Sequence, residues 1–253
     1  MLIAIDIGNT NIVIGVFLKD RFVNFRLSTN QKLTQDEYCI NFYNLFNLYS
    51  LNNDRVEGAI VSSVVPQITP KVINAIDTVF GIKPLEVGPG IKTGMPIRYK
   101  NPQEVGADRI VNAVGAYEEF KDALIVIDSG TAITFDVISK KGEYIGGAIA
   151  PGINISADAL AERTAKLPRV PLKVPEGVIG KTTTHSIQSG LFFGYLSLME
   201  GMIKRIKEEM DYNCTVVITG GDSALFYRYL PEIQHFRPHL TLFGLKVLYE
   251  KNI

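Results

Sequence analysis

One pattern occurs twice in this chain, and it constrains the possible folds more than any other feature. Residues 4–17 read AIDIGNTNIVIGVF, where Asp6 and a Gly-Asn-Thr turn lie between two runs of apolar residues rich in β-branched side chains. Such runs favour strands, and Gly and Asn favour a tight turn between them. Residues 124–138, LIVIDSGTAITFDVI, repeat the arrangement around Asp128. The sequence therefore predicts two equivalent β-hairpins, one in each half of the chain.

The residue types of these hairpins suit a phosphate site. A carboxylate at a strand end can hold a metal ion, and the following glycine and threonine offer backbone N–H groups and a hydroxyl to phosphate oxygens. The alternative for the first copy alone is an ordinary hairpin turn, in which Asp6 satisfies local backbone donors. The second copy favours the phosphate interpretation, and so does a third stretch, VVITGGDSA at residues 216–224, where an apolar strand runs into two glycines and a helix-like segment.

Two Asp-x-Gly hairpins followed by a late strand-Gly-Gly-helix unit resemble the superfamily of acetate kinases, sugar kinases, heat-shock ATPases and actin. In that superfamily two duplicated domains close over a nucleotide. The resemblance implies that the hairpins hold the phosphates and that the late glycine turn receives the adenosine.

The order of the remaining elements also repeats. In the first half, three strands are followed by helix, strand, helix and strand, with Thr34 as the N-cap of the first helix and Asp36 and Glu37 in its first turn. The second half again begins with three strands and continues with helices at residues 153–164 and 183–210. A strand at residues 215–219 and a terminal helix at residues 241–251 complete it. We therefore predict an α/β fold of two duplicated domains with mixed sheets, covering residues 1–115 and 116–253.

Composition narrows the possible ligands and the location. The 253 residues include 26 Lys plus Arg and 26 Asp plus Glu, so net charge gives no electrostatic reason to expect nucleic acid or an anionic membrane as a partner. A small-molecule substrate is expected instead. Cys39 and Cys214 lie far apart in apolar or mixed segments, which indicates neither a disulfide framework nor a zinc site. A basic leader and a membrane-length apolar run are both missing, which predicts a cytoplasmic protein.

Three other patterns do not meet the requirements of the sites that they suggest. Residues 177–182, GVIGKT, lack the glycine that a Walker-type phosphate loop needs at the position of Pro175, and no strand precedes them. The chain has no G-x-G-x-x-G after a strand, which excludes a Rossmann dinucleotide site. His235 and His239 are separated by Pro238, so no helix can bring them together as zinc ligands.

The segment between the two halves, residues 88–109, is rich in Gly and Pro, so it is predicted to be irregular and to line a site. It ends in Gly-Ala-Asp-Arg, and the amphipathic residues 110–117 follow. Asp108 is thus predicted in the first turn of a helix, near the border of the two domains. Taken alone, Asp108 is explained best as an acidic residue that complements the helix dipole.

Seven motifs together resemble one narrower family, that of type III pantothenate kinases. They are DIGNTN at residues 6–11, GADR at 106–109, DSGTA at 128–132, GGAIAPG at 146–152, TAKLP at 164–168, GKTT at 180–183 and TGGD at 219–222. The match covers nearly the whole chain in the family's order. The resemblance implies paired actin-like, ribonuclease H-like domains that work as a homodimer with the active site at the subunit interface. It also implies transfer of the γ-phosphoryl group of ATP to pantothenate, the first step of coenzyme A synthesis.

The same resemblance implies roles for individual residues. ATP phosphates and Mg²⁺ would be held by the first hairpin, whose residues are Asp6, Ile7, Gly8, Asn9, Thr10, Asn11, Ile12 and Val13. Thr131 would also contact ATP, Asp128 would bind a monovalent cation (K⁺ or NH₄⁺), and Asp108 would accept the hydroxyl proton. Contacts with pantothenate would come from Tyr99, Gly106, Ala107, Asp108, Arg109 and Thr183, with Thr183 reaching in from the second subunit.

Two residues near Thr183 depart from the family pattern, since Thr182 stands where Asn is common and His185 where Glu is common. Glycines at 190, 194 and 201 interrupt the long helix that follows, and they are costly there unless close packing uses them. Packing against a partner helix and packing within the same domain both explain them. Two other functions remain open at this point: a kinase of the same superfamily with another small-molecule substrate, and a non-catalytic regulatory relative. Asp6, Asp108 and Asp128 argue against the second.

Overall fold

The computed structural model describes residues 1–253 and contains ten strands and seven α-helices. The strands are β1 (Leu2–Ile7), β2 (Asn11–Phe17), β3 (Phe22–Ser28), β4 (Gly58–Ser63), β5 (Leu85–Glu86), β6 (Leu124–Ser129), β7 (Ala132–Ile138), β8 (Tyr144–Pro151), β9 (Thr215–Thr219) and β10 (His235–Phe236). The helices are α1 (Gln35–Leu48), α2 (Thr69–Phe80), α3 (Ala107–Phe120), α4 (Ile153–Arg163), α5 (Thr183–Met210), α6 (Ser223–Tyr227) and α7 (Leu240–Glu250). No helix is long and apolar enough to cross a membrane.

The first unit is built on a mixed sheet with the strand order β3-β2-β1-β4-β5. β1 is antiparallel to β2 and parallel to β4. Successive side chains of a strand point to opposite faces, so Ile3, Ile5 and Ile7 join the core that α1 and α2 cover, while Asp6 faces the other side. On that other side α7 packs so closely that a Cβ on Gly15 would lie 3.0 Å from the Leu242 side chain.

The second unit repeats this plan with the order β10-β9-β6-β7-β8. β6 is antiparallel to β7 and parallel to β9, as β1 is to β2 and β4. In its core, alternate residues of β6 and β7, such as Ile127 and Phe135, face the long helix α5, which contributes Phe192 and Met199. The predicted pair of duplicated, ribonuclease H-like α/β domains is therefore confirmed.

The boundaries of the units differ from the predicted division at residues 115 and 116. The first unit comprises residues 1–119 together with residues 240–253, and the second comprises residues 120–239. The predicted division places residues 240–253 in the second domain. In the structure α7 lies against the first unit, where Gly115 and Gly244 are so close that a Cβ on Gly115 would lie 2.9 Å from Gly244 Cα. This packing depends on small residues distant in sequence, which local patterns do not reveal.

Predictions that depend on local sequence are confirmed. Thr34 caps α1 in a capping box, because its hydroxyl accepts from Glu37 N and the Glu37 carboxylate accepts from Thr34 N. Both predicted hairpins are present, within residues 2–17 and 124–138, and α5 spans residues 183–210 as predicted. Asp108 lies in the first turn of α3.

Candidate active site

The first hairpin places Asp6 near the carboxyl end of β1. Asp6 is partly buried, and its register partners are Val13 on β2 and Ser62 on β4. Ser62 is fully buried, and its hydroxyl has no hydrogen-bond partner. A buried polar atom without a partner is unfavourable, so the Ser62 hydroxyl adds no hydrogen bond to the stability of this sheet.

The turn of this hairpin is held rigidly although Asn9 and Thr10 are exposed. Gly8 N donates to Asn11 O at 3.0 Å, which closes the turn. Thr29 braces it from the end of β3, because its hydroxyl donates to Gly8 O at 2.6 Å and its N–H donates to Thr10 O at 2.9 Å. The turn therefore presents fixed backbone and hydroxyl groups to solvent, an arrangement suited to phosphate oxygens.

The second hairpin brings Asp128 against a glycine turn. Asp128 pairs with Thr134 on β7 and with Thr219 on β9. Gly220 follows Thr219 with φ +96°, and a Cβ there would overlap Asp128 Oδ1 and Ser129 O. Only glycine meets both requirements, the positive φ and the close approach. The carboxylate of Asp128 thus lies directly against the turn that ends β9.

A third turn joins this group at the start of α4. Gly152 N donates to Thr131 O at 3.1 Å, and a Cβ on Gly152 would overlap that same carbonyl oxygen. Asn154 Nδ2 donates to Asp222 Oδ2 at 2.9 Å, which ties α4 to the turn after β9. Burial raises the pKa of Asp222, and the hydrogen bond from Asn154 opposes that rise. Three glycine turns therefore converge at one edge of the second sheet, next to the exposed Thr131.

Asp108 has the properties of a proton acceptor. Burial raises the pKa of its carboxyl group, and the hydrogen bond from Arg109 N, at 2.8 Å from Asp108 Oδ1, and the Arg109 charge oppose the rise. A base with a raised pKa accepts a proton more readily near neutral pH. A Cβ on Gly106 would lie 2.5 Å from Asp108 Oδ1, so a side chain there would displace the carboxylate.

The segment that leads to Asp108 is irregular, as predicted. Between residue 88 and the start of α3, the only regular element is a 3₁₀ turn at Pro102–Glu104. Tyr99 is partly buried in this segment, whereas Arg109 is buried in α3 with 6% of its surface exposed. The first unit thus contains the first hairpin, Tyr99 and the residues at 106–109.

Thr183 is the first residue of α5, in the second unit. Thr182 caps the helix, since its hydroxyl accepts from His185 N at 3.2 Å. Threonine is among the preferred N-cap residues, although it ranks below asparagine. Residue 185 contributes its backbone N–H to this cap, so the cap is present despite the two departures from the family pattern. Thr183 is exposed and lines a surface cleft of 830 Å³ whose apolar side includes Leu160 and Leu167.

No group of three or more His, Cys, Asp or Glu side chains is placed to hold a metal ion. Mg²⁺ does not require such a group, because it is commonly bound by one or two carboxylates together with substrate phosphates. Asp6, beside the exposed turn of the first hairpin, fits that requirement.

The sequence analysis did not predict that Asn154 connects α4 to Asp222 in the turn after β9. The only signal in the sequence was the position of Asn154 just after the GGAIAPG motif.

Comparison with known proteins identifies the family. The sequence model of type III pantothenate kinase matches residues 2–205. The chain belongs to the type III pantothenate kinase family. A type III pantothenate kinase of Geobacter sulfurreducens is 48% identical over 100% of this chain and 99% of its own length. One from Citrifermentans bemidjiense is 48% identical over 100% of both chains.

Solved structures with low sequence identity support the fold described above. A conserved Baf family protein from Campylobacter jejuni has a TM-score of 0.61 at 19% identity, covering 99% of this chain and 98% of its own. A ROK family glucokinase from Streptomyces griseus has a TM-score of 0.56 at 14% identity, covering 98% and 99%. The fold is thus shared with sugar kinases.

Proposed function

We propose that this chain phosphorylates pantothenate to 4′-phosphopantothenate, with ATP as donor and Asp108 as proton acceptor. The terminal hydroxyl oxygen of pantothenate forms the new bond to the γ-phosphorus, the bond to the bridging oxygen of ADP breaks, and the hydroxyl proton passes to Asp108. The observation that carries the proposal is the partly buried Asp108 carboxylate with a raised pKa, in a chain of this family. Because phosphoryl transfer is dominated by positioning and charge neutralisation, Asp108 mainly orients the hydroxyl and takes its proton late.

The ATP phosphates are assigned to residues 6–13 and to Thr131. The braced turn of the first hairpin supports this assignment, because its exposed groups need no rearrangement to receive phosphate oxygens. Mg²⁺ would bind Asp6 and the phosphates, and it would neutralise charge that develops during transfer.

A monovalent cation, K⁺ or NH₄⁺, is assigned to Asp128. The contact between its carboxylate and the Gly220 turn supports a fixed position for that charge. A cation held there would offset the negative charge of the triphosphate beside it.

Pantothenate is assigned to Tyr99, to residues 106–109 and to Thr183 of a partner subunit. Helix α5 supports a homodimer, because nothing in this chain apart from the neighbouring backbone of α5 itself lies within 4 Å of where a Cβ on Gly190 or Gly194 would stand. Packing within the same domain therefore does not explain these glycines. Beside them the Val178 carbonyl accepts a hydrogen bond from the Ser189 hydroxyl, while the Val178 and Ile179 side chains are 66% and 87% exposed. Open glycines next to exposed apolar side chains suit a partner helix.

A coupled assay for ADP release tests the proposal. Release that depends on pantothenate is expected, and it should disappear in Asp108→Asn. Release that depends on another alcohol and not on pantothenate would favour a different small-molecule kinase. Nucleotide binding without any turnover would favour a regulatory relative.

A further inference from the structure

A fully buried carboxylate lies on the same face of the second sheet as Asp128. Asp136, on β7, has none of its surface exposed. Ile133 and Phe135 of the same strand point into the core under α5, so Thr134 and Asp136 point to the opposite face. Thr134 is the register partner of Asp128, and Asp136 is two residues further along.

Two hydroxyl groups donate to this carboxylate. The Tyr144 hydroxyl lies 2.7 Å from Asp136 Oδ1, and the Thr134 hydroxyl lies 3.0 Å from Asp136 Oδ2. A threonine hydroxyl has a single proton and two lone pairs. Because that proton is given to Asp136, the remaining capacity of Thr134 Oγ1 is that of an acceptor. Asp136 thereby fixes the orientation of the Thr134 hydroxyl.

The oriented Thr134 hydroxyl lies beside the proposed cation ligand Asp128. Residues directly opposite in an antiparallel pair have Cβ atoms about 4.5–5.5 Å apart, so the Thr134 hydroxyl is a neighbour of the Asp128 side chain. A hydroxyl restricted to accepting can coordinate K⁺ or accept a hydrogen bond from NH₄⁺.

We propose that Thr134 Oγ1 is a second ligand of the monovalent cation and that Asp136 is the residue that positions it. The proposal rests on the assignment of the cation to Asp128. Asp136 does not touch the cation; it acts through Thr134 and adds negative potential to that face of the sheet.

The test compares four variants of the full chain. Thr134→Val removes the hydroxyl at nearly constant volume, Thr134→Ser retains it, and Asp136→Asn removes the charge. Ser139→Ala is the matched control, since it removes another buried hydroxyl, in the turn after β7 and at the far end of that strand from Asp128. Two quantities are measured: the K⁺ concentration that gives half-maximal activity, and the rise in melting temperature with K⁺ relative to choline in the presence of a non-hydrolysable ATP analogue.

We expect Thr134→Val and Asp136→Asn to weaken K⁺ binding by about tenfold to a hundredfold, as changes around a metal ligand commonly do. Thr134→Ser and Ser139→Ala should keep the wild-type K⁺ dependence. A wild-type K⁺ dependence in Thr134→Val and Asp136→Asn would overturn the proposal and leave the assignment of Asp128 standing. If neither the activity nor the melting temperature of the wild type depends on K⁺, both this proposal and the assignment of the cation to Asp128 are wrong.

Discussion

The Tyr195 hydroxyl, on helix α5, donates to the main-chain carbonyl of Pro151 at 2.7 Å. The Tyr195 hydroxyl oxygen also lies 2.6 Å from Ser156 Oγ in α4. Gly152, next in sequence to Pro151, is bonded in turn to Thr131 of the second hairpin. Helix α5, which begins at Thr183, is therefore connected by hydrogen bonds to the turn assigned to ATP.

This connection predicts that Tyr195→Phe affects both stability and ATP binding. Loss of the hydroxyl should lower the free energy of unfolding by about 0.5–1.5 kcal/mol, the usual net contribution of a hydrogen bond. It should also raise the KM for ATP severalfold, because the junction beside Thr131 loses its brace. Denaturant unfolding and steady-state kinetics measure the two effects. Tyr229→Phe is the control, since that side chain is partly exposed and packs only by its ring. Equal KM values in the two variants would contradict the coupling.

Asp108→Asn should lower turnover by at least about a hundredfold, which is the lower end of the rate enhancement that a positioned general base provides. ATP binding should remain, because the proposed phosphate ligands are unchanged. Near-normal turnover would leave Asp108 with the role of an acidic residue at a helix N-terminus.

The pH dependence of Asp108 has a definite sign. Burial raises its pKa in the folded state, so between the ordinary and the raised value the folded chain holds a proton that the unfolded chain has released. The contribution of Asp108 to stability is therefore present below that window and is lost as pH rises through it. Asp108→Asn should raise the melting temperature at neutral pH. It should leave the melting temperature unchanged at a pH well below the ordinary pKa of an aspartate.

The activity of the wild type should also depend on this group. Its kcat/KM should fall as pH falls through the raised pKa of Asp108, because the base becomes protonated.

Gly220→Ala should be strongly destabilising. The residue has φ +96°, and an added Cβ would overlap Asp128 Oδ1 and Ser129 O. Strain of this kind costs about 1–3 kcal/mol before the overlap is counted. Gly221→Ala is the matched stability control, because nothing lies within 4 Å of its added Cβ and its φ is not positive. Similar unfolding free energies for the two variants would contradict the close approach of the turns.

The sequence predicts those parts of the fold that are determined locally. The hairpins around Asp6 and Asp128, the Thr34 cap and the start of α3 follow from periodicity and capping chemistry within a few residues. The position of α7 does not, because it depends on the fit between Gly115 and Gly244, more than a hundred residues apart. The hydrogen bond between Thr134 and Asp136 was likewise missed, since alternation predicts which face a residue occupies but not its partner there.

The cation assignment predicts that activity requires K⁺ or NH₄⁺ and falls when Na⁺ replaces them. Asp128 would hold the ion close to the triphosphate and offset its charge. Initial rates are compared in potassium, ammonium and sodium chloride at one ionic strength, so that general screening stays constant. Asp128→Asn should lose the difference between the salts together with most activity. Equal wild-type rates in potassium and sodium chloride would contradict the assignment of a monovalent cation to Asp128.

The last prediction concerns an active site shared between two subunits. If Thr183 of the partner subunit completes the pocket that contains Asp108, Asp108→Asn and Thr183→Ala should each be weak alone. After dissociation and reassociation of a mixture, random pairing makes about half of the dimers mixed. Each mixed dimer has one doubly mutated site and one wild-type site, so about a quarter of wild-type activity should return. Subunit exchange is checked with two affinity tags, and reassociation of Asp108→Asn with itself provides the baseline. Confirmed exchange without recovery would mean that one chain builds each site, and the open glycines of α5 would then need another explanation.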